Sequence, residues 1–435
     1  MIDKSEKQRQ QKAEEIRDRN PVDAKAIGRQ GPLTGMRVIE LAHIMAGPVC
    51  GMMLADMGAD VIKVEKAAGG DDTRRFLPPA IEGESAAFMM MNRNKRGIAL
   101  NLKHADGRDA LLRLVKDADV LIENYRHDTM QKLGLDYETL KSINPALIYC
   151  EISGFGRTGP YSERGGFDLI AQGMSGLMSV TGPDVTDGSS GSTNEPVKIG
   201  PPVSDITAGI LAAMGACAAF ANRLQTGQGN RVDTSLFEAG ITHTFWQSAI
   251  AFASDETPQP LGSAHPLNAP YQSIATRDGY INIGAANQTN WLKLLDVIGA
   301  QSLADDQRFA KNADRMQHRK ELIDDLTRYF KERNTDDWVE RLNSAGVPAG
   351  PLLDIRQMHA DPQTRSREMV TTVEHPIAGT VETLGAPVKF HETPVSINRA
   401  APLLGQHTRD VLRECDYNDT EIDALIASGA AVTTQ

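Results

Sequence analysis

Asp205 follows a proline-led approach, Pro201-Pro202-Val203-Ser204, and precedes an apolar run over residues 206–221. A carboxylate in that place has two chemical uses. It caps the helix that the run predicts by accepting a backbone N–H at the helix start. Alternatively it is a nucleophile. A helix N-terminus favours an anion, and an ionised carboxylate attacks an activated acyl group to form a mixed anhydride. Ala208, Gly209, Ala212 and Ala213 would let this helix lie close beneath a ligand, or simply pack tightly. The residues themselves leave both uses open.

Asp168, in Gly165-Gly166-Phe167-Asp168, is the second candidate, and it reads equally well as a helix-start aspartate. Phe167 beside it cannot transfer a proton. A third constellation is cationic. Lys66, Arg74, Arg75, Lys103 and Lys132 follow or flank expected strand ends. Together they suit phosphate groups, although most such side chains are simply solvated. Tyr125 also follows a strand end, where an aromatic ring stacks on a base or packs in the core.

These residues need a frame. Strands are expected at 36–41, 60–65, 97–102, 120–123, 147–152 and 231–236, and helices at 43–58, 107–116, 137–143 and 206–221. The alternation implies a parallel sheet covered by helices, with ligands beyond the carboxyl ends of the strands. The first βα turn, 42–48, lacks GxGxxG, which argues against dinucleotide chemistry. Residues 182–200 read as a loop and 257–270 as a linker. A smaller domain follows, with a strand at 280–283 and helices at 291–298, 320–332 and 336–345. An extended segment, 361–402, leads to final helices at 410–415 and 420–427.

Bulk properties remove other classes. The net charge of −11 disfavours a nucleic-acid partner. Cys50, Cys150, Cys217 and Cys415 form no CxxC pair, so a reducing, cytoplasmic setting is expected without disulfides. No metal-ligand spacing, GxSxG elbow or P-loop is present. The polar first residues, with Glu6, Glu14 and Glu15, read as neither a secretory signal nor a transit peptide. The run at 206–221 is shorter than the roughly 20 residues of a membrane span.

Several stretches then converge. They include Arg37-Val38-Ile39-Glu40-Leu41, Ala46-Gly47-Pro48, Asp60-Val61-Ile62-Lys63-Val64-Glu65 and Asn94-Lys95-Arg96-Gly97-Ile98. Asp119-Val120-Leu121-Ile122-Glu123-Asn124-Tyr125, Gly229-Asn230-Arg231-Val232-Asp233, Val347-Pro348-Ala349-Gly350-Pro351 and Ala401-Pro402-Leu403-Leu404-Gly405 continue the series. In number, order and spacing they resemble the class III coenzyme A transferases, which include formyl-CoA transferase, carnitine CoA-transferase and α-methylacyl-CoA racemase. The resemblance runs from about Leu33 to the C-terminus.

The resemblance implies an α/β fold: a Rossmann-like large domain and a smaller α+β domain joined by two linkers, in an interlocked ring homodimer. The expected division is a polar arm at 1–32, a large CoA-binding domain at 33–237, a linker at 238–262, a small domain at 263–360, and a return segment at 361–435. It implies CoA transfer from an acyl-CoA to a free carboxylic acid. Asp205 would be the nucleophile, through an aspartyl anhydride and an aspartyl–CoA thioester. No metal or cofactor beyond the CoA thioester substrate is implied. The implied CoA contacts are Met45, Ala46, Lys66, Leu100 to Lys103, Asn124, Tyr125, Arg126 and Lys132, with Gly165 to Asp168 bordering the thioester. Three positions depart from relatives. Met45 replaces a glutamine of formyl-CoA transferase, which argues against oxalate-sized acids. Phe167 replaces the catalytic histidine of the racemase, the alternative activity on this fold. Gly262-Ser263-Ala264-His265 stands where a glycine-rich lid is found.

Overall fold

A computed structural model of the 435-residue chain describes residues 31–185 and 195–434. The expected arm at 1–32 lies almost wholly outside the described residues, as does much of the loop expected at 182–200. The described chain divides into two compact units.

The first unit comprises Met1–Ser175, Gly200–Thr242 and Pro362–Gln435. Its centre is a sheet of β1 (Arg37–Leu41), β2 (Asp60–Lys66), β3 (Arg96–Leu100), β4 (Val120–Glu123), β5 (Ile148–Ser153) and β6 (Asn230–Ser235). The strands lie in the order β3-β2-β1-β4-β5-β6, all parallel, with Val38 of β1 opposite both Val61 and Val120. A C-terminal strand, Ala431–Val432, adds antiparallel to β3 at the edge. This is the doubly wound order, and its direction reverses between β1 and β4, where such sheets bind ligands. The strands are buried along nearly their whole length rather than on alternate residues, as expected for a sheet covered on both faces.

Five helices concern the cores and the site: α1 (Ala46–Asp56), α2 (Ala105–Lys116), α3 (Asp168–Met174), α4 (Val203–Thr226) and α5 (Leu236–Thr242). One core joins Ile39, Ile62, Leu121 and Tyr149 to Leu111 and Leu114 of α2. The other joins Val38, Val61 and Ile148 to Cys50 and Leu54 of α1 and to Ala208, Ala212, Ala216 and Ala219 of α4. The alanine face lets α4 press closely on α1. A Cβ on Gly209 would lie 2.6 Å from the carbonyl oxygen of Ala46 and 2.8 Å from Val49. With 24 residues, α4 extends past both ends of the run expected at 206–221. It is long and apolar enough to cross a membrane by length and composition, and its buried face packs within this unit.

The segment at 361–402 is not simply extended. It forms a short helix, Pro362–Ser366, and an antiparallel hairpin of Val370–His375 with Gly379–Leu384. Val373 and Val381 of the hairpin bury against Phe88, Met89, Ala400 and Ala401.

The second unit comprises Gly176–Ile199 and His243–Asp361. Residues 176–185 and 195–199, expected within the large domain, therefore cluster here, and so do residues 243–262, expected as a linker. Its sheet is antiparallel, with Tyr280–Gly284 between Tyr271–Ala275 and Ala349–Pro351. Trp291, Leu294, Leu322, Leu326, Phe330 and Trp338 fill its core. Their helices are Gln288–Ile298, Arg319–Phe330 and Thr335–Ser344, close to the expected limits.

Candidate active site

The site is built on the loops after β1, β4 and β5 and on the start of α4, all in the first unit. After β1 the chain does not enter α1 directly. Ile44 adopts φ +68°, a genuine outlier for a β-branched residue, and α1 starts only at Ala46. Buried side chains bind the turn. Lys63 Nζ donates to Ala42 O at 2.9 Å. The Asn124 amide accepts from His43 N at 3.0 Å and donates to His43 O at 2.8 Å. The Asp71 carboxylate accepts from Ile44 N at 3.1 Å. Beneath the turn, Lys63 Nζ lies 3.0 Å from Glu40 and 2.9 Å from Asp71, and Lys95 Nζ lies 2.8 Å from Glu40.

Asp205 stands in the first turn of α4, and Pro202 occupies the cap position. The reading of Asp205 as an N-cap is therefore corrected. Asp168 performs that task from another helix: its Oδ1 accepts from Ser204 N at 2.9 Å, while its Oδ2 accepts from Gln172 Nε2 at 2.7 Å. Asp205 forms no ion pair among the described residues. Burial, followed by the neighbouring negative charge of Asp168, pushes its carboxyl up to about 7. The helix start, expected to favour the anion, is thus set against burial and the Asp168 charge. The helix dipole is a modest influence, and here desolvation exceeds it.

A cavity of about 450 Å³ opens over Asp205. His43, Ile44, Met45 and Ala46 form one wall, and Gly165, Gly166 and Phe167 another. Asn124, Tyr125 and Arg126 lie at the end of β4. Although Asn124 lines the cavity, its amide is engaged by the His43 backbone. Arg157 braces this wall. Its guanidinium donates to Glu123 at 2.6 Å, Glu151 at 3.2 Å and Tyr125 O at 3.1 Å. Burial raises Glu123 to about 7 despite that arginine.

A second cavity of about 890 Å³ lies beyond β2 and β3, and Tyr125, Arg126 and Thr129 line both spaces. Lys66, Leu100, Lys103 and Lys132 line it, as does Val432 of the returning C-terminal segment. Lys66 lies 3.1 Å from Asp72, Lys132 pairs with Asp128, and Lys103 is exposed. Arg74 and Arg75 line neither space. Arg74 bonds Glu65 at 2.7 Å, and Arg75 bonds Asp72 at 2.5 Å.

The candidate residues thus fall on two adjoining cavities, except Asp168, which holds the α4 start, and Arg74 and Arg75, which pair with Glu65 and Asp72 instead. His43, Asp72, Arg157 and Arg164 also line the first cavity and were not among the candidates. His43 carried a signal, since it stands just after β1. Arg157 and Arg164 lie in an irregular loop where nothing in the sequence marks them.

The chain matches CoA-transferase family III over residues 33–408. It is 40% identical to the succinate–glutarate CoA-transferase of Agrobacterium fabrum, over 89% of this chain and 96% of that one. It is 35% identical to the succinyl-CoA:glutarate CoA-transferase of Homo sapiens, over 92% and 89%. The crystal structure of a CAIB/BAIF family protein from Brucella suis superposes with a TM-score of 0.78 at 40% identity, covering 89% of this chain and all of that one. The two-cavity site at the carboxyl ends of the parallel strands therefore sits in an enzyme of known class: the chain belongs to CoA-transferase family III.

Proposed function

We propose that the enzyme transfers CoA between dicarboxylic acids of roughly succinate to glutarate size, with Asp205 carrying the acyl and CoA groups in turn. The carrying observation is Asp205 itself, a partly buried carboxylate on the cavity floor with no cationic partner among the described residues. Such a group is poorly solvated as an anion and hence a strong nucleophile once ionised. The acid preference comes from the similar enzymes, whose names specify glutarate and mesaconate as partners of succinate or succinyl-CoA.

The steps balance without an added cofactor. The Asp205 carboxylate attacks the donor thioester, and the C–S bond breaks to give an acyl–aspartyl anhydride and CoA thiolate. The thiolate attacks the aspartyl carbonyl of the anhydride, which forms an aspartyl–CoA thioester and releases the donor acid. The acceptor carboxylate attacks that thioester and expels the thiolate. The thiolate then takes the new acyl group and frees Asp205.

The CoA phosphates would lie with Lys66, Lys103 and Lys132, and the thioester would reach Asp205 past Tyr125 and Arg126. Leu100 and the backbone after it would line the adenine and ribose, with Met45, Ala46, Asn124 and Gly165 to Asp168 around the acyl end. Phe167, 68% exposed just before α3, and Leu169, Ile170, Ile210 and Met214 on α3 and α4 are exposed apolar side chains, which supports burial in the interlocked homodimer. A cytoplasmic setting is part of the same reading.

A donor and acceptor screen tests the substrate class. Succinyl-CoA or acetyl-CoA is mixed with a panel of carboxylic acids, and new thioesters are read by mass spectrometry. Glutaryl-CoA should form from succinyl-CoA faster than oxalyl-CoA does. Transfer to monocarboxylic acids alone contradicts the proposal.

A further inference from the structure

The structure assigns a positioning role to Asp71: anchored on Lys63, it holds Ile44 in the left-handed conformation and thereby fixes Met45 and Ala46 beside Asp205. Asp71 and Lys63 line neither cavity, which separates them from the space proposed for the substrates. Asp71 is 2% exposed and Lys63 fully buried.

Ile44 carries the argument. At φ +68° it is in a region that glycine enters freely and a β-branched residue does not. Such a conformation persists where its surroundings over-determine it. Here the turn is held at two points, Ala42 O and Ile44 N. Lys63 holds Ala42 O at 2.9 Å, and Asp71 holds Ile44 N at 3.1 Å. Asp71 is oriented by the Thr73 N–H at 2.9 Å and the Thr73 hydroxyl at 2.8 Å. Lys63 Nζ joins the two grips through its 2.9 Å contact with Asp71.

The conformation has a chemical consequence. It turns the chain sharply between β1 and α1, so that Ile44, Met45 and Ala46 all reach the cavity wall. The same stretch touches the helix of Asp205, since Gly209, one turn beyond Asp205, packs closely against Ala46 O. The spacing between wall and nucleophile is therefore set by the turn. Displacements of about 1 Å are enough to cost a reaction about a hundredfold.

The inference rests on Asp205 as nucleophile, and a substitution cycle tests it separately. Asp71→Asn keeps volume and an acceptor oxygen but loses the charge that Lys63 anchors. Ile44→Gly lets the backbone take the same φ without strain. Turnover is measured per folded enzyme with succinyl-CoA and glutarate, CoA binding by calorimetry and folding by urea titration. Asp71→Asn should lower kcat at least 30-fold and change KM for the thioester less than threefold. Ile44→Gly alone should lower kcat two- to fivefold. In the Ile44→Gly background, Asp71→Asn should lower it less than fivefold further. If Asp71→Asn does not fold, Thr73→Val takes its place, with a three- to tenfold kcat loss that Ile44→Gly relieves.

An unchanged kcat per folded enzyme with a lower urea midpoint makes Asp71 purely structural and overturns the assignment. So do losses that multiply independently in the double variant. Activity surviving Asp205→Ala overturns the nucleophile reading instead, whatever the cycle returns.

Discussion

Asp71, buried under the turn after β1, and Asp205, partly buried at the start of α4, are two aspartates with opposite tendencies. Burial pushes Asp71 upward, but the Lys63 ammonium and the N–H groups of Thr73 and Ile44 outweigh it and hold the carboxyl well below the usual range. Burial pushes Asp205 upward too, and no cation among the described residues opposes it. The Asp168 charge adds to the rise, which reaches about 7. Burial sets the size of the penalty, and the partners decide whether the anion survives it. A fully compensated carboxylate makes a rigid anchor. An uncompensated one near neutrality makes a reagent, and such perturbed groups gather at functional sites.

Breaking the reagent should have the largest effect. Asp205→Asn keeps the shape and removes the anion, so kcat should fall roughly a thousandfold or more while CoA binding persists. Calorimetry beside turnover measurements separates the two. Breaking the anchor should be felt in stability. Lys63→Met leaves Glu40 and Asp71 buried without this counter-ion and should cost about 3–5 kcal/mol in urea unfolding. Gly209→Ala attacks the contact between the two regions. Its Cβ would lie 2.6 Å from Ala46 O, and such overpacking costs about 1–3 kcal/mol, with a parallel loss of kcat.

Finer effects sharpen the contrast. Asp168→Asn keeps an acceptor for Ser204 N but removes the like charge beside Asp205. Because Asp205 reacts as its anion, kcat/KM should rise with pH through about 7. The Asp168 substitution should move that acid limb to lower pH by a fraction of a unit. The linked stability runs the other way. A raised carboxyl binds more protons folded than unfolded, so its contribution weakens as pH rises from the normal carboxylate range toward 7. Lys66→Ala removes an exposed cation and a 3.1 Å pair with Asp72. KM for the thioester should rise only a few-fold, and less so at high salt.

The sequence made the parallel sheet plain because strands buried on both faces read as unbroken apolar runs bounded by turns. It misplaced the start of α1 because Ile44 carries no sign of a left-handed conformation. A β-branched residue predicts the opposite, and the forces that impose it come from Asp71, Lys63 and Asn124, remote in the chain. For the same reason Asp205 looked like a cap. The real cap, Asp168, comes 36 residues before Ser204, and no local pattern announces a carboxylate from another helix. The hairpin at 370–384 was passed over because its strands bury few apolar side chains, chiefly Val373 and Val381. Of the site, the positions after β1, β2 and β4 were legible from strand ends together with the family resemblance. Arg74 misled because its partner, Glu65, lies inside β2, and pairing across elements is invisible in a linear reading.

The most direct test is to look for CoA on Asp205. Enzyme is mixed with succinyl-CoA, quenched in acid, digested and mapped by mass spectrometry. The account predicts a peptide spanning Asp205 that carries CoA as a thioester, disappears when glutarate is added before the quench, and never forms in Asp205→Asn. Steady turnover with CoA attached to another residue, or an Asp205 adduct that glutarate does not discharge, contradicts it.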